Sequence, residues 1–235
     1  WDVFIHRNVS VMKMEAEMNL EERIQNGMLF YESGHKSPEN QEIEKRLDKE
    51  RKHCKEMMFD YNHCRPGNQE ERQSILKKLL GSCGEHIFIE DGVHMSYGSH
   101  VFLEEHFYAN FNLTIIDDGE VYIGDRTMIG PNVTICTTGH PIDPTYRDMV
   151  AHYSIPIHIG KNVWIGSNSV ILPGVTIGDN TVIGAGSIVT RDIPENVVAV
   201  GNPCRILRTI EEKDKEYYFR DLKIDEPYTS RQGNE

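Results

Sequence analysis

The sequence predicts a mainly β protein, a parallel β-helix preceded by a helical unit and interrupted by one protruding loop. Three observations carry this prediction. Aliphatic residues recur every six positions, a glycine or another small residue usually follows each of them, and the stretch before the repeat has the apolar spacing of amphipathic helices. A helix needs apolar spacing near three and four and a single strand a spacing of two, so a period of six indicates a solenoid.

Residues 1–17 are expected to lie outside the fold. They lack the apolar core and the small-residue cleavage site of a signal peptide, and we interpret them as a leader or an expression remnant. A helical unit is predicted to follow at 18–84. Asn19 and Glu22 have the spacing of a capping box and indicate its first helix, whose end Gly27 is expected to weaken.

Two further helices are predicted in this unit. The second starts at Ser37 and runs through Met58, and the third runs from Asn68 to Leu80 and stops at Gly81. The end of a β-helix exposes unpaired strand edges. We therefore expect the helical unit to cover one of the two ends.

The repeat is expected to form a β-helix over residues 85–207. Its aliphatic residues stand at positions 123, 129 and 135 and, in the same phase, at 159, 165, 171, 177, 183 and 189. In such a coil each six-residue phrase supplies one short strand and one corner. The aliphatic side chain is expected to point inward, and the glycine to let the backbone turn.

The repeat is interrupted in two places. No repeat is visible between Ile135 and Ile159, so a loop at about 136–158 is predicted to leave the coil and return in register. Upstream, a slip of two residues falls near Asp118–Gly119. Solenoids carry function on loops and irregular coils, so a ligand is expected here. The charged and aromatic stretch 208–235 is expected to cap the other end or to trail as a tail.

Composition excludes several classes of partner. The chain has 235 residues, a formal net charge of -12 and a pI near 5.4, which argues against nucleic acid or an anionic membrane as a partner. The sequence has no apolar run of about 18 residues, so no membrane span is predicted. The five cysteines are scattered without a CxxC pair, which is typical of reduced thiols in a cytoplasmic protein.

From about Asn19 to Tyr228 the chain resembles the maltose and galactoside O-acetyltransferases of the hexapeptide-repeat family. The stretches that carry the resemblance are SYGS (96–99), FYANFNLTIIDD (107–118), TGHP (138–141), NVWIGS (162–167), IGAGSIVTRDIP (183–194) and GNPCRILR (201–208). The resemblance implies a left-handed β-helix, homotrimers with active sites between subunits, and acetyl transfer from acetyl-CoA to a sugar hydroxyl. The acceptor would be of the maltose, glucose or galactoside type.

His140 is the candidate catalytic residue. Transfer of acetyl to an alcohol requires a base, and histidine is the side chain suited to that role near neutral pH. His140 lies in TGHP, between Gly139 and Pro141, and matches the family's catalytic histidine. The family mechanism is direct transfer without an acyl-enzyme. His152 stands in the same loop without a motif, where relatives can have methionine, and its substitution is expected to matter little.

The resemblance also implies an acceptor site. The matching residues are Asn110, Asp118, Ser96, Tyr108, Arg51 and Glu32. For Asn110 and Asp118 the alternative is ordinary corner and turn chemistry, which Asn and Asp commonly supply. About nine extra residues, HKSPENQEI, separate Glu32 from Arg51 relative to the galactoside enzymes, so the helical wall of the pocket is expected to differ.

Binding of CoA needs an apolar slot for pantetheine and cations for the phosphates. The residues that match family positions are Trp164, Ser167, Ala185, Thr190, Arg191, Arg205 and Arg208. Trp164 has an alternative role in packing at a seam between subunits, and the arginines have one as solvated surface residues.

Three other functions were weighed. A γ-carbonic-anhydrase-like metal lyase shares the coil, and His94, His100 and His106 are spaced by six. Positions six apart lie on successive faces of the prism, whereas metal ligands must converge, so no metal is expected. A non-catalytic scaffold leaves TGHP unexplained. Acetyl transfer to another acceptor, such as a chitin oligosaccharide, a cell-surface sugar or a xenobiotic alcohol, is the closest alternative.

Overall fold

The computed structural model describes residues 18–225 and Tyr228, so the expected leader 1–17 and residues 226–227 and 229–235 of the predicted C-terminal segment lie outside the described residues. Within the described part the helices are α1 (Leu20–Gln25), α2 (Pro38–His63), α3 (Gln69–Leu79) and α4 (Pro144–Asp148), with a 3₁₀ turn at Glu212–Lys215. The strands are β1 (Phe30–Tyr31), β2 (Ser82–Cys83), β3 (Phe88–Ile89), β4 (His94–Met95), β5 (Val101–Leu103), β6 (Tyr108–Ala109), β7 (Thr114–Ile116), β8 (Val121–Ile123), β9 (Met128–Ile129), β10 (Thr134–Cys136), β11 (Thr138–Gly139), β12 (Ala151–Ser154), β13 (Ile157–Ile159), β14 (Trp164–Ile165), β15 (Val170–Ile171), β16 (Thr176–Ile177), β17 (Val182–Ile183), β18 (Ile188–Val189), β19 (Val197–Val200), β20 (Arg205–Thr209), β21 (Tyr217–Phe219) and β22 (Leu222–Lys223).

Short parallel strands stack into a three-sided prism. Face I consists of β2, β5, β8, β13 and β16; face II of β3, β6, β9, β14, β17 and β19; and face III of β4, β7, β10, β15 and β18. The chain visits faces I, II and III in turn, so every coil passes a II–III corner and then a III–I corner. This arrangement is the predicted β-helix.

The six-residue period describes the interior of the prism. All nine aliphatic residues of the two predicted runs are at most 3% exposed. Ile123 pairs with Ile159 across the loop, and Ile159 pairs with Ile177 in the next coil. The chain therefore returns from the loop in register, as predicted.

The glycines of the repeat have a different role from the one expected. Corner residues with left-handed φ are mostly asparagines such as Asn162 (φ 54) and Asn180 (φ 57), whereas Gly166 has no positive φ. A Cβ on Gly166 would lie 2.5 Å from the backbone nitrogen of Ala185 in the next coil. The repeat glycine thus permits close stacking of coils, and asparagine, which tolerates the left-handed region, makes the turn.

The helical unit covers the first coil, as predicted. Asn19 and Glu22 form the capping box at the start of α1, and the caps of α2 and α3 are Ser37 and Asn68. Buried residues of α2 and α3 belong to the same apolar core as the coil. Gly27 (φ 64) does not weaken α1 but ends it, because its N–H and that of Met28 bond back to the last turn.

The extra residues of the first coils all fall at the III–I corner. Met95 and Leu103 are eight positions apart, as are Ile115 and Ile123, where the repeat would give six. The second of these is the predicted slip at Asp118–Gly119; the first, at 96–100, was not predicted. In the third coil the long loop leaves from the same corner. One edge of the prism therefore has three irregular segments stacked on each other.

The C-terminal part adds one antiparallel strand to the coil. Strand β20 pairs with β19 at the edge of face II, and β21 and β22 form a separate hairpin. The hairpin side chains Tyr218, Phe219 and Leu222 are more than half exposed. Among the described residues, no helix is both long and apolar enough to cross a membrane.

Candidate active site

The long loop folds as a hairpin that the helical unit extends. Strand β11 pairs antiparallel with β12, and β12 pairs on its other side with β1, so that Phe30 lies opposite His152. Gly139 faces the ring of Tyr153, whose Oη would lie 2.5 Å from a Cβ at that position. This small sheet places Glu32, which follows β1, beside the III–I corner.

His140 follows β11 with its ring orientation set by a hydrogen bond. Its Nδ1 lies 2.9 Å from the carbonyl oxygen of Ala151, a buried residue of β12. A carbonyl can only accept, so Nδ1 carries the hydrogen and Nε2 of the neutral ring keeps its lone pair. Because His140 is exposed, that lone pair can reach a substrate.

Glu32, Arg51 and Asp118 meet next to His140. Arg51 grips both carboxylate oxygens of Glu32, with Nη1 2.9 Å from Oε2, and its Nη2 lies 3.6 Å from Oδ1 of Asp118. Thr138 donates to Oδ2 of Asp118 at 2.8 Å. The hydrogen bonds from Arg51 hold the pKa of Glu32 below its usual value, so the pair is ionised near neutral pH.

Tyr97 completes this cluster. It lies in SYGS (96–99), where only Ser96 was a predicted site residue. Its ring lies 5.0 Å from the Arg51 guanidinium carbon, and its hydroxyl accepts a hydrogen bond from Arg51. Burial raises the pKa of the Tyr97 phenol, so the group stays protonated. The signal that could have found Tyr97 is the unpredicted insertion at 96–100.

The neighbouring Asp117 supports the corner rather than the substrate. It is fully buried and accepts backbone N–H groups from Ser96 at 2.7 Å, Tyr97 at 3.1 Å and Gly98 at 2.6 Å. Burial raises the pKa of Asp117, and these hydrogen bonds oppose the rise. Ser96, a predicted acceptor residue, is thus fixed at the same corner by its backbone.

A pocket of about 240 Å³ opens between the helical unit and the III–I corner. Glu32, Tyr97 and Asp118 line its polar side, and Ile24 and Leu47 belong to its apolar side. The extra residues between Glu32 and Arg51 form the start of α2. Through Ile43 they pack against α1 and so shape this wall.

The predicted site residues form two separate groups within one chain. Those at the III–I corner are Ser96, Asp118, His140, Thr190 and Arg191, joined there by Glu32 and Arg51. Those on face II or the II–III corner are Tyr108, Asn110, Trp164, Ser167 and Ala185, with Arg205 and Arg208 on β20. A single chain does not bring Asn110 next to His140.

The arginines at the C-terminal end differ in their partners. Arg208 forms two hydrogen bonds with Asp214, at 2.6 and 2.8 Å, which lower the pKa of Asp214 to about 2. Arg205 is exposed and donates to the carbonyl oxygen of Cys204. Neither Arg205 nor Arg191 has an ion pair with a described residue, so their charges are available to a ligand.

Comparisons with known proteins identify the family. A model of the bacterial transferase hexapeptide (six repeats) matches residues 156–191, and one of the maltose acetyltransferase hexapeptide capping motif matches 24–84. The galactoside O-acetyltransferase of Escherichia coli (strain K12) is 50% identical over 208 residues, 88% of this chain and 98% of that protein. The chain belongs to the hexapeptide-repeat galactoside and maltose O-acetyltransferases.

Solved structures of this family have the same fold. A galactoside acetyltransferase in complex with coenzyme A superposes with a TM-score of 0.83 at 49% identity, covering 89% of this chain and all of that one. A maltose O-acetyltransferase from Clostridium difficile 630 superposes with a TM-score of 0.76 at 42% sequence identity. The match covers 83% of this chain and 99% of that one. The predicted left-handed parallel β-helix with a helical unit and a protruding loop is therefore confirmed.

Membership of the acetyltransferase family also decides against the metal-lyase alternative. Among the described residues two other groups of side chains could hold a cation: His86, Glu105 and His106 at the surface, and Glu32, Asp118 and His152 in the site. In the second group Arg51 already forms ion pairs with both carboxylates. His94 and His100 belong to neither group, so the six-residue histidine spacing does not converge.

His152, whose substitution is expected from the sequence to matter little, lies beside the candidate site. His152 is 3% exposed, its ring centroid is 5.7 Å from that of His140, and its Nε2 is 3.6 Å from Oε1 of Glu32. Nothing in the sequence around His152 indicates this position. The pairing of β12 with β1 turns it inward.

Proposed function

We propose that this protein transfers the acetyl group of acetyl-CoA to a hydroxyl of a maltose-, glucose- or galactoside-type sugar, with His140 as general base. The observation that supports the proposal is the hydrogen bond from Nδ1 of His140 to the carbonyl oxygen of Ala151. It leaves a lone pair on Nε2 of this exposed residue, beside the ionised cluster of Glu32, Arg51 and Asp118. The names of the relatives support the same chemistry.

The proposed reaction is a direct transfer. Nε2 of His140 removes the proton of the acceptor hydroxyl while the hydroxyl oxygen attacks the acetyl carbonyl carbon. A carbon–oxygen bond forms, the carbon–sulfur bond breaks, and its electron pair leaves with the CoA sulfur. The proton on His140 then passes to that thiolate. His140 ends neutral, with its hydrogen again on Nδ1.

The acceptor is proposed to bind between the polar cluster and His140. Carboxylates and guanidinium groups suit sugar hydroxyls, because they accept and donate charge-assisted hydrogen bonds. Glu32 and Arg51 already bind each other, so the acceptor would use their remaining hydrogen-bonding capacity. Asp118, held by Thr138, would orient the hydroxyl that reacts. Ser96, Tyr108 and Asn110 are assigned to the same pocket.

Acetyl-CoA is proposed to lie along the coil. Trp164, 54% exposed on face II, offers an apolar surface near the thioester, and the small corner residues Ser167 and Ala185 leave room for pantetheine. Thr190 is assigned to the same arm. The phosphates are assigned to Arg191, Arg205 and Arg208.

We infer that each site is shared between two chains of a trimer. The acceptor and base residues lie at the III–I corner, whereas Asn110 and Trp164 lie on face II or the II–III corner. A neighbouring subunit that presents its face II to this corner would complete the site. Ile142 at 95% and Val150 at 62% exposure give the loop an apolar surface that a neighbour would cover.

We also assign the enzyme to the cytoplasm. Its five cysteines are free, as expected for a reducing compartment. Burial raises the pKa of the Cys54 thiol to about 12, so this group serves packing rather than redox chemistry.

An acceptor screen tests the proposal. Purified protein is incubated with acetyl-CoA and, in parallel, maltose, glucose, galactosides, glucosamine and chloramphenicol, while free CoA thiol and acetylated product are measured. We expect acetylated sugar and equal amounts of CoA with at least one sugar. Chloramphenicol as the best acceptor would favour a xenobiotic role, and no transfer to any acceptor would refute acetyltransferase activity on this panel.

A further inference from the structure

One buried polar atom of the site lacks a hydrogen-bond partner among the described residues. This atom is Nε2 of His152, whose side chain is 4% exposed. Buried polar atoms are nearly always hydrogen-bonded, so an unpartnered one beside Glu32 and His140 indicates a partner that the ligand supplies. The nearest candidate in the chain is Oε1 of Glu32, and at 3.6 Å it is too far for a hydrogen bond.

The structure also determines which kind of group Nε2 can bind. Nδ1 of His152 lies 3.1 Å from the carbonyl oxygen of Val150, so Nδ1 carries the hydrogen and the neutral ring has an accepting Nε2. The ring cannot easily turn away, because Phe30 packs against it at 4.1 Å with an interplanar angle of 62°. Strand pairing fixes Phe30 opposite His152. A hydrogen-bond acceptor is thus held in place next to Glu32, which lines the pocket.

We propose that Nε2 of His152 accepts a hydrogen bond from an acceptor hydroxyl other than the one acetylated, and thereby determines which sugars are used. This inference rests on the proposed function. Its position supports it, since His152 lies between Glu32 and the ring of His140, the groups assigned to the acceptor and to the proton transfer. A sugar without that hydroxyl would leave Nε2 buried and unpaired.

Deoxy-sugar kinetics test the assignment. The best sugar acceptor of the wild type is compared with its monodeoxy and monodeoxyfluoro analogues, one position at a time, and kcat/KM is measured for each. At one non-reacting position we expect both replacements to lower kcat/KM by roughly 10- to 100-fold, because neither hydrogen nor fluorine can donate to Nε2. In His152→Met the parent sugar and the analogue modified at that position should have about the same kcat/KM, while the ratios at the other positions stay as in the wild type.

Two further variants separate binding from packing. His152→Gln, whose side-chain oxygen can accept a hydrogen bond, should restore part of the discrimination that His152→Met loses. His63→Met is the matched control, since His63 is exposed near the end of α2 and stacks on Phe59. For His63→Met, kcat/KM for each deoxy and deoxyfluoro analogue relative to the parent sugar should equal the wild-type ratio. Thermal melting identifies any variant whose change reflects misfolding.

The outcomes are distinguishable. If the wild type acetylates a sugar but discrimination at every position is the same in His152→Met, His152 does not bind the acceptor and the inference is overturned. If the wild type acetylates no sugar, the proposed function itself fails. A deoxyfluoro acceptor that reacts as well as the parent would show that His152 donates rather than accepts, which also contradicts the assignment.

Discussion

The reactivity assigned to His140 depends on the hydrogen bond that its other ring nitrogen makes. Ala151 accepts from Nδ1 at 2.9 Å, so Nε2 is free to take a proton. His140→Ala should lower kcat by roughly 10²–10⁴, the range typical of a lost general base.

The control for this measurement is His63→Ala, which changes a histidine far from the pocket. Its kcat should equal that of the wild type. Acetyl-CoA affinity, measured by calorimetry, should be unchanged in His140→Ala. Near-normal turnover in that variant with the best acceptor would remove His140 from the mechanism and direct attention to His152.

The ion pair between Glu32 and Arg51 predicts a pH-dependent stability. Arg51 lowers the pKa of Glu32 in the folded protein, so the pair stabilises fully above the unfolded value near 4.5. That stabilisation is lost as pH falls through the lower folded pKa. Glu32→Gln should therefore reduce the free energy of unfolding at pH 7. The expected reduction is only about 1 kcal/mol, because the pair is partly exposed and solvent screens it. The difference should vanish in strongly acidic buffer, as measured by thermal melting of both proteins; a constant difference would contradict this role of the pair.

The two C-terminal arginines should differ in their effect on acetyl-CoA. Arg205 has no ion pair with a described residue, whereas both ends of the Arg208 guanidinium bind Asp214. Arg205→Ala should raise KM for acetyl-CoA roughly tenfold with little change for the sugar. Arg208→Ala should have a smaller effect. Initial rates at varied acetyl-CoA measure both, and the reverse order would assign the phosphates to Arg208.

At the scale of elements, close stacking of coils makes the repeat glycine sensitive to any side chain. A Cβ on Gly166 would lie 2.5 Å from the Ala185 nitrogen and 2.8 Å from its Cα. Gly166→Ala should lower the free energy of unfolding by about 1–3 kcal/mol, since backbone must move. In Gly67→Ala, the control, no atom lies within 4 Å of the added Cβ. Denaturant unfolding should show the difference, and equal stabilities would refute the stacking role of the glycine.

The elements themselves were largely predictable because their signals are local. Caps at Asn19, Ser37 and Asn68 start the helices, and the aliphatic period gives the coil. The role of the repeat glycine was not predictable, because it depends on the neighbouring coil rather than on the glycine's own φ. Gly27 was misjudged because a Schellman motif needs the hydrogen bonds of the following residue.

The site was predictable only where a motif carried it. TGHP and the family resemblance marked His140 as a candidate, and the resemblance marked Asp118, next to the slip in the repeat. Tyr97 and His152 were missed because their positions follow from long-range contacts, the stacking of three insertions at one corner and the pairing of β1 with β12. Such contacts bring together residues that are far apart in sequence, so a local pattern alone does not show that they meet.

At the scale of the whole molecule, the proposed division of the site between two corners would need a second chain to complete each site. Trp164 and Met128 are 54% and 52% exposed on face II, where a neighbouring chain would cover them. Light scattering should therefore give close to three times 27.0 kDa. A fully active monomer would contradict the shared site.

Mixing two inactive variants tests directly whether each active site is shared between two chains. His140→Ala lacks the base at the III–I corner, and Asn110→Ala lacks the proposed acceptor group at the II–III corner. When trimers are reassembled from equal amounts of the two variants, each of the two chains at a site supplies an intact residue with a chance of about one half. About one site in four therefore contains both an intact His140 and an intact Asn110. If sites are shared, mixing should restore acetyl-sugar formation to about a quarter of the wild-type rate. A mixture no more active than the two variants measured separately would show that the site is not shared between chains in this way.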